Sequence, residues 1–199
     1  MLTYPALETA QTPTLRDIPW DLYWSLREVT DHQGVRLTYL DGELEIMSPV
    51  SELHEEAKFW INRLLTVWAE EHQIPLRGVG STTWHSPAKR AGAEGDESYK
   101  VGVRPREGVP DLVIEVVVSS AVTTNKLEVY ARLGIKEVWV WWPTRAQLTI
   151  QTLVGEHYEV CSSSPLFPAL DLETFVEHAA QYAGDQVALL RSYRATLQP

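Results

Sequence analysis

Asp111 and Glu115 stand in the apolar run VPDLVIEVVVSS, residues 109–120, four positions apart and so on one face of any strand. An ionised carboxylate is costly to bury unless it is paired or holds a metal. The two acids therefore sit at the rim of a sheet, bond to neighbours, or do chemistry. Lys126 follows in SSAVTTNKLEVYARLG, residues 119–134, beside an apolar stripe of Val122, Leu127, Tyr130 and Leu133. A helix directly after the acidic strand should pack back on the sheet. That brings the lysine toward the carboxylates, unless its amine snorkels to solvent. Two carboxylates and a lysine suit metal-assisted phosphodiester hydrolysis. Mg²⁺ prefers oxygen ligands, and a bound metal lowers the pKa of water while a lysine orients it or offsets developing charge. Four residues of strand span about 13 Å, however, so these two acids barely reach one ion and a third acid is needed.

The elements that must position these residues can be read in outline. WDLYWSLREV (20–29) reads as a short helix. VRLTYLDGELEIMSP (35–49) alternates around Asp41-Gly42, a strong hairpin signal. SELHEEAKFWINRLLTVWAEEHQ (51–73) is the clearest helix, with Ser51 as N-cap and a stripe of Leu53, Ala57, Trp60, Ile61, Leu64, Leu65 and Trp68. Residues 74–86 read as one or two strands. Residues 87–108 are rich in Gly, Pro and charge, so mostly loop, with a short strand around Ser98–Val101. After the acidic strand come a helix over 120–133, a strand over 136–143, a hairpin across Val154-Gly155, and a helix over 170–183. The order implies an α/β or α+β fold with a central mixed sheet.

The chain's 199 residues suit one domain, here 19–199, preceded by a loose arm at 1–18. The single cysteine, Cys161, excludes an internal disulfide framework and a cysteine-based zinc site. The N-terminus has no basic-then-apolar leader pattern, and no apolar run approaches a membrane span. The expectation is a cytoplasmic protein with no membrane partner. A net charge of −10 argues against a protein that coats nucleic acid, but metal-holding carboxylates leave a nuclease open. The eight Trp suit a core or a dimer interface.

Five pieces recur here in order: DGELEIMSP, a His three residues into the next helix, GDESY, VPDLVIEV, and a Lys followed by VYARLGIKEVWVWWP. Together they resemble the Uma-type family of restriction-endonuclease-like proteins, within the PD-(D/E)XK nuclease superfamily, over residues 20 to 180. The resemblance implies a restriction-endonuclease-like fold and Mg²⁺- or Mn²⁺-dependent cleavage of DNA, with Asp111 and Glu115 as acidic site residues. In that superfamily's usual pattern a lysine stands two residues after the strand acid. Val113 and Val117 fill those places here, and Lys126 looks like the migrated replacement. The resemblance also sets GDESY beside the acidic strand, which makes Asp96 the candidate third acid. The metal set is then drawn from Asp96, Asp111 and Glu115, with Asp111 joined by Asp96 or Glu115. His54 on the long helix points inward and is a secondary candidate, its alternative being a core histidine bonded to backbone. Glu43 is another, its alternative being a solvated turn carboxylate. Cleavage of both strands would call for a homodimer. Two other classes stay open: a nuclease fold without activity that serves binding or dimerisation, and a metal-dependent hydrolase of another substrate.

Overall fold

The computed structural model describes residues 13–30, 33–47, 51–103, 107–118 and 124–198. In chain order it contains β1 (Thr14–Leu15), α1 (Trp20–Thr30), β2 (Arg36–Leu40), β3 (Glu43–Met47), α2 (Glu52–Glu71) and β4 (Leu76–Gly78). Next come β5 (Thr83–Ser86), β6 (Ala91–Glu94), β7 (Glu97–Val101), β8 (Leu112–Val116), α3 (Thr124–Leu133) and β9 (Glu137–Trp142). The chain ends with β10 (Gln147–Val154), β11 (His157–Cys161), α4 (Leu172–Ala179) and α5 (Gln186–Thr196).

The fold is α+β, with two sheets rather than one. One sheet runs β1-β3-β2-β6-β5; the other runs β11-β10-β9-β8-β7-β4. The second is the mixed sheet expected from the sequence. Its strands pair antiparallel except β8 and β9, which are parallel and joined through α3. A parallel pair needs such a crossover, and the helix covers one sheet face. The β2–β3 hairpin turns at Asp41 and Gly42, both at positive φ (47° and 99°), as its tight two-residue loop requires.

Each face of β8 meets a different layer. Leu112, Ile114 and Val116 join Trp60, Leu64 and Trp139 in the larger core, under the stripe of α2. Val113 and Val117 join Val129 and Tyr130 of α3 in a second core. Glu115 shares the parity of Val113 and so faces α3. Trp60, Trp68, Trp139 and Trp141 are fully buried, so four of the tryptophans fill the core.

Three expectations change, and one falls partly outside the described residues. Within residues 87–108, expected to be mostly loop, β6 precedes β7 and is buried throughout. Its Ala-Gly-Ala-Glu sequence lacks the bulky residues that mark strands, because the α1 residue Tyr23 lies directly over Gly92. Part of the expected loose arm, Thr14–Leu15, pairs with β3, while residues 1–12 lie outside the described residues. The helix expected from residue 120 is described from Thr124, residues 119–123 lying outside the described set. Beyond α4, α5 adds a helix capped by Asp185, whose side chain accepts from the Val187 and Ala188 amides.

Gly95 and Asp96 link β6 of the first sheet to β7 of the second. A Cβ on Gly95 would lie 2.6 Å from Val113 Cγ1 and 3.3 Å from Ser98 Oγ. Val113 is buried and stiff at χ1, so it cannot swing clear. Gly95→Ala is therefore expected to destabilise the fold by about 1–3 kcal/mol. Urea unfolding checks this; an unchanged midpoint would show that the sheet junction yields.

Candidate active site

Three elements of the mixed-sheet half and one strand of the other sheet deliver charge to the C-terminal end of β8. Asp96 comes from the β6–β7 link and is buried. Its Oδ2 accepts the Val116 amide of β8 at 2.7 Å and lies 3.0 Å from His54 Nε2 of α2. Its Oδ1 is paired with the guanidinium of Arg36, the first residue of β2. Glu115 is also buried. Its Oε2 meets Lys126 Nζ of α3 at 2.7 Å, and its Oε1 accepts the Tyr130 hydroxyl one turn along the same helix. His54 reaches inward because Ser51 caps α2 by accepting the His54 amide. The other ring nitrogen of His54 lies 3.3 Å from Glu55.

The two carboxyls are tuned in opposite directions. Burial opposes ionisation of Asp96, but the His54 hydrogen bond and the charges of Lys126, His54 and Arg36 outweigh it and hold Asp96 below the usual carboxylate range. Burial dominates at Glu115 and raises its pKa; Lys126 offsets this in part, and the charge of Asp96 adds to the rise. Burial, then the charge of Glu115, keeps the Tyr130 hydroxyl protonated as a donor. The charge of Asp96 acts on Glu115, and Lys126 acts on both acids, which places them in one electrostatic unit.

The sequence candidates divide accordingly. Asp96, Glu115, Lys126 and His54 come together. Asp111 stands apart, at the opposite end of β8. Its Oδ2 accepts the Val101 amide of β7 at 2.9 Å and its Oδ1 lies 2.9 Å from Lys136 Nζ, just before β9. The separation along a regular strand, already too long for one ion, is retained because β8 is an uninterrupted ladder from Leu112 to Val116. The pairing of Asp111 with Asp96 or Glu115 is thus not what the structure assembles. Glu43 lies at the turn end of the β2–β3 hairpin, opposite the Arg36 end, 40% exposed and 3.5 Å from Arg16. Sequence reasoning missed Arg36 and Tyr130. Tyr130 was legible, standing four residues after Lys126 on the same helix face. Arg36 carried no local signal, since its contact depends on the packing of one sheet beside another.

Among the described residues no group of three or more His, Cys, Asp or Glu side chains is arranged to hold a metal ion. The donor chemistry nevertheless fits a magnesium-like ion, which is held by one or two carboxylates and completes its shell with waters and substrate phosphate. Each carboxylate oxygen has about two acceptor positions. Asp96 Oδ1 and both oxygens of Glu115 each meet one donor described above, which leaves lone pairs for an ion.

A family model described as "Uma2: Putative restriction endonuclease" matches residues 20–183. The chain belongs to this family. A crystal structure described as a putative nuclease belonging to DUF820, from Anabaena variabilis, has a similar fold: TM-score 0.54 and 14% identity, over 73% of this chain and 90% of that one. No curated protein matches the chain. No helix among the described residues is long and apolar enough to cross a membrane.

Removing one partner of a buried ion pair leaves the other uncompensated, at a cost of about 3–5 kcal/mol. Lys126→Met, which leaves the buried Glu115 carboxylate without its cation, is expected to destabilise the protein on that scale, and adding Glu115→Gln to recover much of the loss. Strict additivity in urea unfolding would mean that Lys126 does not depend on Glu115. A second expectation concerns pH. The folded pKa of Asp96 is depressed, so its stabilisation is present above the unfolded value of about 3.9 and lost as pH falls below it. The stability gap between wild type and Asp96→Asn should therefore narrow below about pH 4. A gap constant from neutral to strongly acid pH would refute the assignment. Glu115 has the opposite sign, its contribution being lost as pH rises through its raised folded pKa.

Proposed function

We propose that the chain is a divalent-metal-dependent endonuclease that hydrolyses DNA phosphodiester bonds at the Asp96–Glu115–Lys126 cluster. The observation that carries this reading is the meeting of Asp96 and Glu115 from separate segments at one end of β8, with Lys126 bonded to Glu115. Family membership supports the same chemistry. Asp96 and Glu115 are the residues that would hold Mg²⁺ or Mn²⁺. When bound, such an ion makes water a better nucleophile and neutralises charge on the phosphate.

The chain's own residues have separate tasks in this scheme. His54 and the Val116 amide fix the Asp96 carboxylate, leaving its Oδ1 side for the ion. Tyr130 holds one oxygen of Glu115 and so fixes the other toward Lys126. Lys126, attached to a rigid helix, orients the attacking water and offsets charge on the pentavalent phosphorus. Each chain carries one such cluster, so cutting both strands of a duplex is assigned to a homodimer.

Plasmid nicking in Mg²⁺ or Mn²⁺ tests the proposal. Wild type should cut and stop cutting on chelation. Asp96→Ala and Glu115→Ala should each lose about 100-fold or more. Asp111→Asn should lower stability and keep metal-dependent cutting; its loss of cutting in a folded protein would return Asp111 to the site. A well-folded wild type that cuts nothing with either metal would favour the binding-module reading. A monomeric mass in solution would count against the dimer.

A further inference from the structure

We infer that Arg36 is a displaceable counter-cation, which holds Asp96 in the metal-free protein and must give way when a divalent ion arrives. The inference rests on the reading of Asp96 and Glu115 as metal ligands. Two acids, Asp96 and Glu115, face two bases, Arg36 and Lys126, so the quartet is neutral when the acids are ionised. The coupling runs across the pairs as well: Lys126 acts on Asp96, and Glu115 acts on Arg36. A divalent ion added to this set would leave two positive charges uncompensated in a poorly solvated site. Such charge is strongly disfavoured there. One resident cation has to move.

The two cations differ in their freedom to do so. Lys126 has a side chain 5% exposed and bonds a fully buried carboxylate. Arg36 is 15% exposed and stands between the buried acid and the surface, with its second terminal nitrogen 4.0 Å from Glu55, itself 47% exposed. Glu55, although its Oε2 already meets Lys58 Nζ at 2.6 Å, turns Oε1 toward Arg36 on the solvent side. A change of side-chain torsions would move the guanidinium there without leaving it unpaired. Asp96 would stay in place, still held by His54 and the Val116 amide. The loss of Arg36 would remove the positive charge that stands against Asp96 Oδ1, the oxygen with a lone pair left for an ion.

Mn²⁺ affinity provides the test, read from the electron paramagnetic resonance signal of the free ion, with metal-induced change in Tm alongside. The set is full-length wild type, Arg36→Met, Arg36→Lys and Asp96→Asn. Arg36→Met should bind Mn²⁺ at least about tenfold more tightly than wild type, because a competing charge is gone. Arg36→Lys, a compact charge without the planar fork, should fall between them. Asp96→Asn should lose binding. Arg36→Met should also melt lower than wild type without metal and gain more from it. Equal or weaker Mn²⁺ binding by folded Arg36→Met overturns the inference; if Asp96→Asn still abolishes binding, the metal site itself stands. Binding absent from every variant, or indifferent to Asp96→Asn, overturns both. Should Arg36→Met fail to fold, Arg36→Lys decides alone: tighter binding than wild type supports the exchange, and unchanged binding refutes it.

Discussion

Negative charge buried at the end of a sheet strand is the constraint around which this molecule is arranged. Asp96 and Glu115 would be untenable in apolar surroundings on their own. They persist because β2, α2 and α3 each send a cationic or polar side chain to one place. α3 is therefore more than a crossover between parallel strands, since its Lys126 and Tyr130 satisfy both oxygens of Glu115. The first sheet, likewise, is more than a neighbour, since β2 carries Arg36 and the β6–β7 link carries Asp96. A third buried carboxylate shows what a purely architectural acid looks like here. Glu137 is met by the Trp139 indole, the Ser164 hydroxyl and the Leu166 amide, all neutral donors, and it ties the segment before α4 to β9. Charged partners crowd one end of β8; neutral ones suffice at Glu137.

How far the sequence revealed this depends on whether a feature is local. Asp41-Gly42 encodes its hairpin because a tight turn needs two residues that accept positive φ. The long helix is legible because its stripe repeats with the helical period and Ser51 caps it. The β6 strand was hidden because its small residues make room for Tyr23, a neighbour distant in sequence. Gly184-Asp185 is a local start signal for α5, since Asp185 caps its first turn. The site shows the same division. Glu115 and Lys126 are joined by a short crossover, so their meeting followed from handedness and proximity. Asp96 needed the family pattern, since nothing in its own segment says which strand it will cap. Asp111 lies away from the cluster because parity along a strand tells the face and not the end, and the regular ladder of β8 keeps its two acids apart.

Asp111 has a consequence of its own. Its side chain laces the start of β8 to β7 and to Lys136, while its carbonyl receives the Lys136 and Glu137 amides. Glu115 and the Val116 amide fasten the other end. A strand this rich in valine and isoleucine has little in its apolar side chains to tell one alignment from the next while the chain is still collapsing. A slip of one residue would turn Glu115 into the layer of Trp139 and Trp141 and strip Asp111 of its partners. The two acids thus fix the alignment of the central strand: a slipped register would leave both carboxylates without the partners that they meet at its two ends.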